Sequence, residues 1–271
     1  MLAARLLLDL YAGLVGLVAG SYLNVVIHRL PRSLSTVLPR SRCPACGAPI
    51  RPRDNVPLIS WLLLRGRCRA CRAPISPRYP LVEAATALLF VVCMERFGPT
   101  PSALLGALFC ALMVALAGID FEHLILPDRI TLPGIALGVA AQLVVPWVGL
   151  WGALLGAALG AGVLLAAYGL WWLVRREEGL GLGDVKMLAM VGAFLGWQGV
   201  LVTLFVGAAT GAVFGLALVV LGRGGMRSKI PFGVFLALGA LVALFAGREL
   251  VRAYLDFAFG PGLAVLAPLP P

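Results

Sequence analysis

The sequence predicts an all-α fold, a polytopic helical membrane protein with about eight transmembrane helices and a small cytoplasmic domain inserted after the first. Three observations predict it. Of 271 residues, 61% are hydrophobic and 13% charged, whereas an ordinary soluble domain runs to about 45–50% and about 25%. The mean hydropathy is +0.99. The net charge of +10 lies in one stretch: residues 29–80 carry eleven Arg against the single acid Asp54, and the remainder balances eleven basic with eleven acidic residues. A water-soluble globular enzyme, a disordered chain and a coiled coil are excluded. The 33 Gly suit close helix packing in lipid.

Residues 1–28 hold the first transmembrane helix, apolar over 6–27. A cleaved signal peptide would carry its positive charge ahead of the apolar core. Here only Arg5 precedes it, Asp9 interrupts it and the Arg block follows. The helix is therefore retained, with its N-terminus outside and its other end in the cytoplasm. Residues 29–80 form a cytoplasmic domain, too short to build much core unaided. A basic block can mark nucleic-acid binding. Placed between apolar stretches, it is more simply a cytoplasmic loop obeying the positive-inside rule, and no nucleic-acid partner is expected.

Residues 81–260 form the main transmembrane domain and 261–271 a tail. Helices are expected near 81–97, 102–120, 130–149, 151–174, 185–197, 200–221 and 231–250, with breaks at Gly98–Pro101, Pro127, Pro146, Arg175–Gly183 and Gly222–Pro231. The 185–197 piece is short for a full span. Alternation puts the 121–129, 175–184 and 222–230 loops in the cytoplasm. These loops carry Arg129, Arg175, Arg176, Arg223, Arg227 and Lys229, so charge agrees with the span count. No clear internal repeat is seen among the spans.

Cys43-Pro-Ala-Cys46 and Cys68-Arg-Ala-Cys71 are two C-x₂-C pairs separated by 21 residues. Four thiolates at such spacing suit one tetrahedral Zn²⁺, structural because no position stays open for water. An iron–sulfur cluster and disulfides are the alternatives, the latter disfavoured in a cytoplasmic loop. Neighbouring Arg42, Arg67, Arg69 and Arg72 would offset the thiolate charge. Cys93 and Cys110, inside spans, read as small packing residues.

Ionisable residues at a membrane are costly and usually functional. Asp120 ends the 102–120 helix and Asp184 closes Gly181-Leu182-Gly183-Asp184, both at the cytoplasmic side. Two carboxylates in one desolvated site share a proton, so one can take a proton from water while the other donates to a carbonyl. The plain alternative is helix capping, with Asp120 pairing Arg129 and Asp184 capping the 185–197 helix. Bare backbone at Gly181 and Gly183 would let an extended substrate strand approach. Lys186 reads as a charge partner for Asp184 or for lipid phosphate. Phe121 and Leu124 would line the approach. Asp128 reads as a cap for the 130–149 helix, with a direct catalytic role as the lesser alternative, Glu122 as a solvated loop residue, and Glu83, with Arg78 near it, as orienting the cytoplasmic domain. Glu177 and Glu178 would pair with Arg175 and Arg176. The two His, His28 and His123, are not placed for a Ser–His protease. No H-E-x-x-H or nucleotide-binding P-loop occurs.

The chain resembles the type IV prepilin peptidases, GxGD-type aspartic proteases of the bacterial inner membrane. The resemblance runs through Gly20–Pro31, the C-x₂-C pairs, Asp54–Leu62, Ile75–Glu83, Asp120 with Leu126-Pro127-Asp128, and Gly181–Lys186. It implies that Asp120 and Asp184 are the catalytic pair, with Gly181, Gly183 and Lys186 in the active-site loop. It implies cleavage of prepilin and pseudopilin leaders, in type IV pilus assembly and type II secretion. All four Cys are present, as in members that also N-methylate the new N-terminus with S-adenosylmethionine. The residues holding that donor are not given. The 29–80 domain, with Glu83 at its junction, is the expected contributor, because its positive field would attract the donor's carboxylate. The competing functions are a proton- or cation-coupled transporter using the same aspartates and a non-catalytic assembly protein anchored by the zinc domain. Membrane lipids are the remaining partners; the oligomeric state is not read from the sequence.

Overall fold

The computed structural model describes residues 2–176, 181–222 and 230–259. Its helices are α1 (Leu2–Arg29), α2 (Ile59–Leu63), α3 (Arg78–Phe97), α4 (Pro101–His123), α5 (Asp128–Ala141), α6 (Gly149–Arg175), α7 (Leu182–Val220) and α8 (Phe232–Phe259). Among the described residues the only β pairing is two isolated bridges, Arg42 with Pro49 and Arg67 with Pro74. Five helices, α1, α4, α6, α7 and α8, are long and apolar enough to cross a membrane. The protein is an all-helical, multi-pass membrane protein. The expected pairing of Glu177 and Glu178, the loop cations Arg223, Arg227 and Lys229, and the 261–271 tail lie outside the described residues.

The chain divides into two compact units, Met1–Ala115 and Leu116–Pro271. In the first, α1 packs on α3 at backbone distance. A Cβ built on Gly16 would lie 2.6 Å from Ala87 Cα, and one on Gly20 2.7 Å from Glu83 Cα. In lipid such van der Waals contact drives helix association, and only small residues permit it. Buried Asn24 adds a polar tie, its Nδ2 donating to the Tyr79 carbonyl at 3.1 Å. Cys93 and Cys110 are both buried, with their sulfurs 3.8 Å apart, in keeping with packing residues.

In the second unit, α7 packs against α5, α6 and α8. The expected 185–197 and 200–221 helices are one element, α7, broken inside at Gly196 (φ 68°, ψ −173°). Only glycine adopts that conformation readily. A break inside a membrane helix strands carbonyls that must find donors. Gln142 supplies them: its buried amide nitrogen lies 3.4 Å from the Ala193 carbonyl and 3.5 Å from that of Phe194. Its Oε1 accepts from the Val148 N–H at 3.1 Å. Gln142 is also where the expected 130–149 helix falls short. α5 stops at Ala141, and its 14 residues rise about 21 Å, below the ~30 Å of a bilayer's hydrocarbon core.

Candidate active site and metal centre

Asp120 lies in the last turn of α4 and is 5% exposed. The backbone N–H groups of Gly233 and Val234, at the start of α8, face its carboxylate. Gly233 is what allows this approach: a Cβ there would lie 2.9 Å from Asp120 Oδ2. That oxygen has no hydrogen-bond partner among the described residues. The expected pairing with Arg129 is not seen. A buried, unpartnered acid oxygen is costly and needs a reason.

Asp184 sits at the third position of α7, whose first residue is Leu182 and whose N-cap is Gly181. It does not cap a helix starting at 185. Its carboxylate turns back toward the Gly181 backbone N–H, the reach-back half of a capping box. A Cβ on Gly181 would lie 3.3 Å from Asp184 Oδ2. Asp120 is within electrostatic range of Asp184. Leu126 packs beside both Gly183 and Gly233. A Cβ on Gly183 would lie 2.8 Å from Leu126 Cβ, and one on Gly233 3.1 Å from Leu126 Cδ1. Gly183 itself is half-buried, with Leu126 of the 124–127 loop packed where a side chain on it would go.

Lys186 is corrected too. It does not pair with Asp184: its Nζ donates to Asp128 Oδ1 at 2.6 Å. Asp128 is the first residue of α5 and makes no side-chain cap. The pair ties the start of α5 to the first turns of α7. Phe121 and Leu124 are exposed beside Asp120 in sequence, with Leu124 at a positive φ of 54° where the chain turns out of α4. His123 lies 3.8 Å from Glu122.

Cys43, Cys46, Cys68 and Cys71 come together, with all four sulfurs within 4.8 Å of one another. The Cys43 and Cys71 sulfurs are 3.8 Å apart, close to the edge of a tetrahedron with metal–sulfur bonds of about 2.3 Å. Each C-x₂-C turn is built alike. The N–H after the second Cys bonds the first Cys carbonyl, Gly47 to Cys43 at 2.8 Å and Arg72 to Cys68 at 3.0 Å. Gly47 and Arg72 share a positive φ, 71° and 61°. The sequence carries the same repetition, unnoticed above: residues 42–53 and 67–78 agree at nine of twelve positions. The N–H groups of Cys46, and then of Ala45, bring the Cys43 thiol down to about 6, whereas at Cys71 the Ala73 N–H is outweighed by the neighbouring sulfurs, led by Cys46, which push that thiol up to about 11 in the metal-free cluster. Arg69 is not spent on the thiolates. It grips Asp54 through two nitrogens, at 2.6 and 2.9 Å, and holds that carboxyl below the usual range.

Glu83 is buried and accepts the Leu58 N–H at 2.8 Å, so it does join the Cys-bearing segment to α3. Its orienting role was legible; its partner was not. Arg78 stacks on Tyr79, 4.8 Å from the ring centre.

The profile of the bacterial peptidase A24 N-terminal domain matches residues 14–97, and that of the type IV leader peptidase family matches 107–216. A prepilin leader peptidase/N-methyltransferase of Aeromonas salmonicida (strain A449) is 40% identical over 268 residues, covering 90% of this chain and 92% of that one. The protein of the same name from Pseudomonas aeruginosa is 40% identical over 268 residues, with the same coverage. The one from Myxococcus xanthus (strain DK1622) is 44% identical over 219 residues, 79% of this chain and 64% of its own length. No solved structure matches. The chain belongs to the type IV leader peptidase family.

Proposed function

We infer that the protein removes the leader peptide of type IV prepilins and related pseudopilins and N-methylates the new N-terminal residue. The observation that carries the cleavage reading is the pairing of buried Asp120 with Asp184 at helix ends within one unit. The relatives' names attach peptidase and methyltransferase activity to chains this similar, and nothing favours the transporter alternative. The dyad holds one proton. The ionised carboxylate takes a proton from the attacking water, and the protonated one donates to the scissile carbonyl. The proton taken from water then goes to the departing amine, leaving the new N-terminus. The backbone N–H groups of Gly233 and Val234 hold one carboxyl and that of Gly181 the other.

In this reading the enzyme spans the bacterial inner membrane, with the dyad at the cytoplasmic face. The substrate's apolar helix then lies in lipid and its charged leader in the cytoplasm. The Cys43, Cys46, Cys68 and Cys71 thiolates hold one structural Zn²⁺, which would pin the two turns together. S-adenosylmethionine is the methyl donor, and the 29–80 domain with Glu83 contributes to its site. The purified protein, given a prepilin and labelled S-adenosylmethionine, should release the leader and label the new N-terminus. A pure, folded preparation that does neither would defeat the reading.

A further inference from the structure

The Cys-bearing segment presents an apolar face where a basic domain should present polar residues. Helix α2 is pinned from behind. Ser60 is buried, its Oγ donating to the Arg53 carbonyl at 3.0 Å and accepting the Val56 N–H at 2.9 Å. Trp61 donates to the Ile75 carbonyl at 3.2 Å. Glu83 holds Leu58, at a positive φ of 59°, immediately before α2. What is left pointing outward is Ile59, Leu62 and Leu63, 56%, 65% and 78% exposed. Their i, i+3, i+4 spacing places them on one side of the helix. A buried face reversed in this way is a binding surface and not a folding accident.

Two further observations identify what covers it. The first is depth. The Glu83–Leu58 bond ties α2 to the second turn of α3, so α2 lies beside the point where the chain re-enters its apolar helices. The second is charge. Among the described residues Arg40, Arg42, Arg65, Arg67 and Arg72 are exposed and make no ion pair, while Arg69 consumes the segment's one acid. Arg65 follows α2 directly. An apolar face with unpaired Arg65 at its end, in a segment that is strongly basic as a whole, matches the acyl and phosphate layers of an anionic leaflet.

We propose that α2 is a membrane-inserting wedge: Ile59, Leu62 and Leu63 enter the acyl region of the adjoining anionic phospholipid leaflet, and the unpaired Arg residues lie at its phosphates. This needs the membrane topology given above but not the peptidase activity, so the two fail separately. The wedge also gives the small domain a second anchor, fixing its height over the membrane.

The test uses the full-length protein carrying photoreactive p-benzoylphenylalanine in place of Leu63, of Leu62 or, as control, of exposed Ala45. Each is reconstituted in vesicles of phosphatidylglycerol and phosphatidylcholine, with prepilin present, and bound zinc is measured to confirm folding. Irradiation should give lipid adducts at position 63 or 62 in roughly tenfold excess over position 45. Replacing phosphatidylglycerol by phosphatidylcholine should lower the yield several-fold. A zinc-loaded protein whose positions 62 and 63 both cross-link only to prepilin or to a second copy, or to nothing, overturns the wedge. Equal yields in anionic and neutral vesicles overturn the part assigned to Arg.

Discussion

Leu126 fills the space beside Gly183: a Cβ on Gly183 would lie 2.8 Å from Leu126 Cβ, and one on Gly233 would lie 3.1 Å from Leu126 Cδ1 and 2.9 Å from Asp120 Oδ2. The two glycines thus let one loop residue pack beside the neighbour of Asp184 and beside the start of α8, where Asp120 is held. Gly183→Ala and Gly233→Ala should each displace a carboxyl by a fraction of an ångström to an ångström. The expected loss in kcat is up to about 10²-fold with little change in KM, because misplacement of that size spoils reacting geometry more than binding. Steady-state cleavage of a prepilin by inserted, folded variants checks this. Full activity in Gly233→Ala would mean that Asp120 does not work from the position seen here.

The Lys186–Asp128 ion pair braces α5 against α7. It is partly exposed, so its worth is about 0.2–1 kcal/mol. Lys186→Met and Asp128→Asn should each reduce cleavage by only a few-fold. The double exchange Asp128→Lys with Lys186→Asp should recover most of the loss. If Lys186 acted on the substrate instead, the exchange would rescue nothing.

The break in α7 and its donor form a second testable pair. Gly196→Ala places a Cβ in a glycine-only conformation, at a cost of about 1–3 kcal/mol. Gln142→Leu removes the amide that faces the Ala193 and Phe194 carbonyls, with a loss of about 1–3 kcal/mol. Thermal unfolding in detergent should show both as lowered midpoints, with Cys-domain zinc content unchanged.

Metal analysis should find one zinc per chain in protein purified without chelator. Cys68→Ser should lose it and render residues 29–80 protease-sensitive, because metal binding in so small a domain is part of its folding energy. Acidification should weaken binding, since only thiolates ligate and the metal-free cluster, with Cys43 at about 6 and Cys71 at about 11, must shed protons to take up the metal. Disulfides among the four Cys would contradict the site.

Much of this was legible in the sequence, for physical reasons. Apolar runs and the Arg block mark helices and loop because the bilayer tolerates little else. Each C-x₂-C turn holds its own two sulfurs close, and the spacing of the pairs marked the four as one site, which the meeting of the two turns bears out. What was missed depends on contacts between segments. The run from 185 to 221 read as two helices and is broken at Gly196, but nothing local shows that Gln142 serves the break. The packing of Leu126 against Gly183 was not legible because the two are 57 positions apart. Lys186 was given to the nearest acid in sequence, whereas its long stem reaches Asp128. The outward face of α2 was hidden by brevity: five residues carry no readable periodicity.

The account turns on Asp120 and Asp184 as the cleavage pair. The most direct measurement compares wild-type protein with Asp120→Asn and Asp184→Asn on two substrates, an intact prepilin and a pre-cleaved, unmethylated pilin with labelled S-adenosylmethionine. Both variants should fail to release the leader while still labelling the pre-cleaved pilin, whose α-amine, of pKa about 7.7–8.0, needs no carboxylate pair to react. Near-normal leader release by either variant would contradict the account.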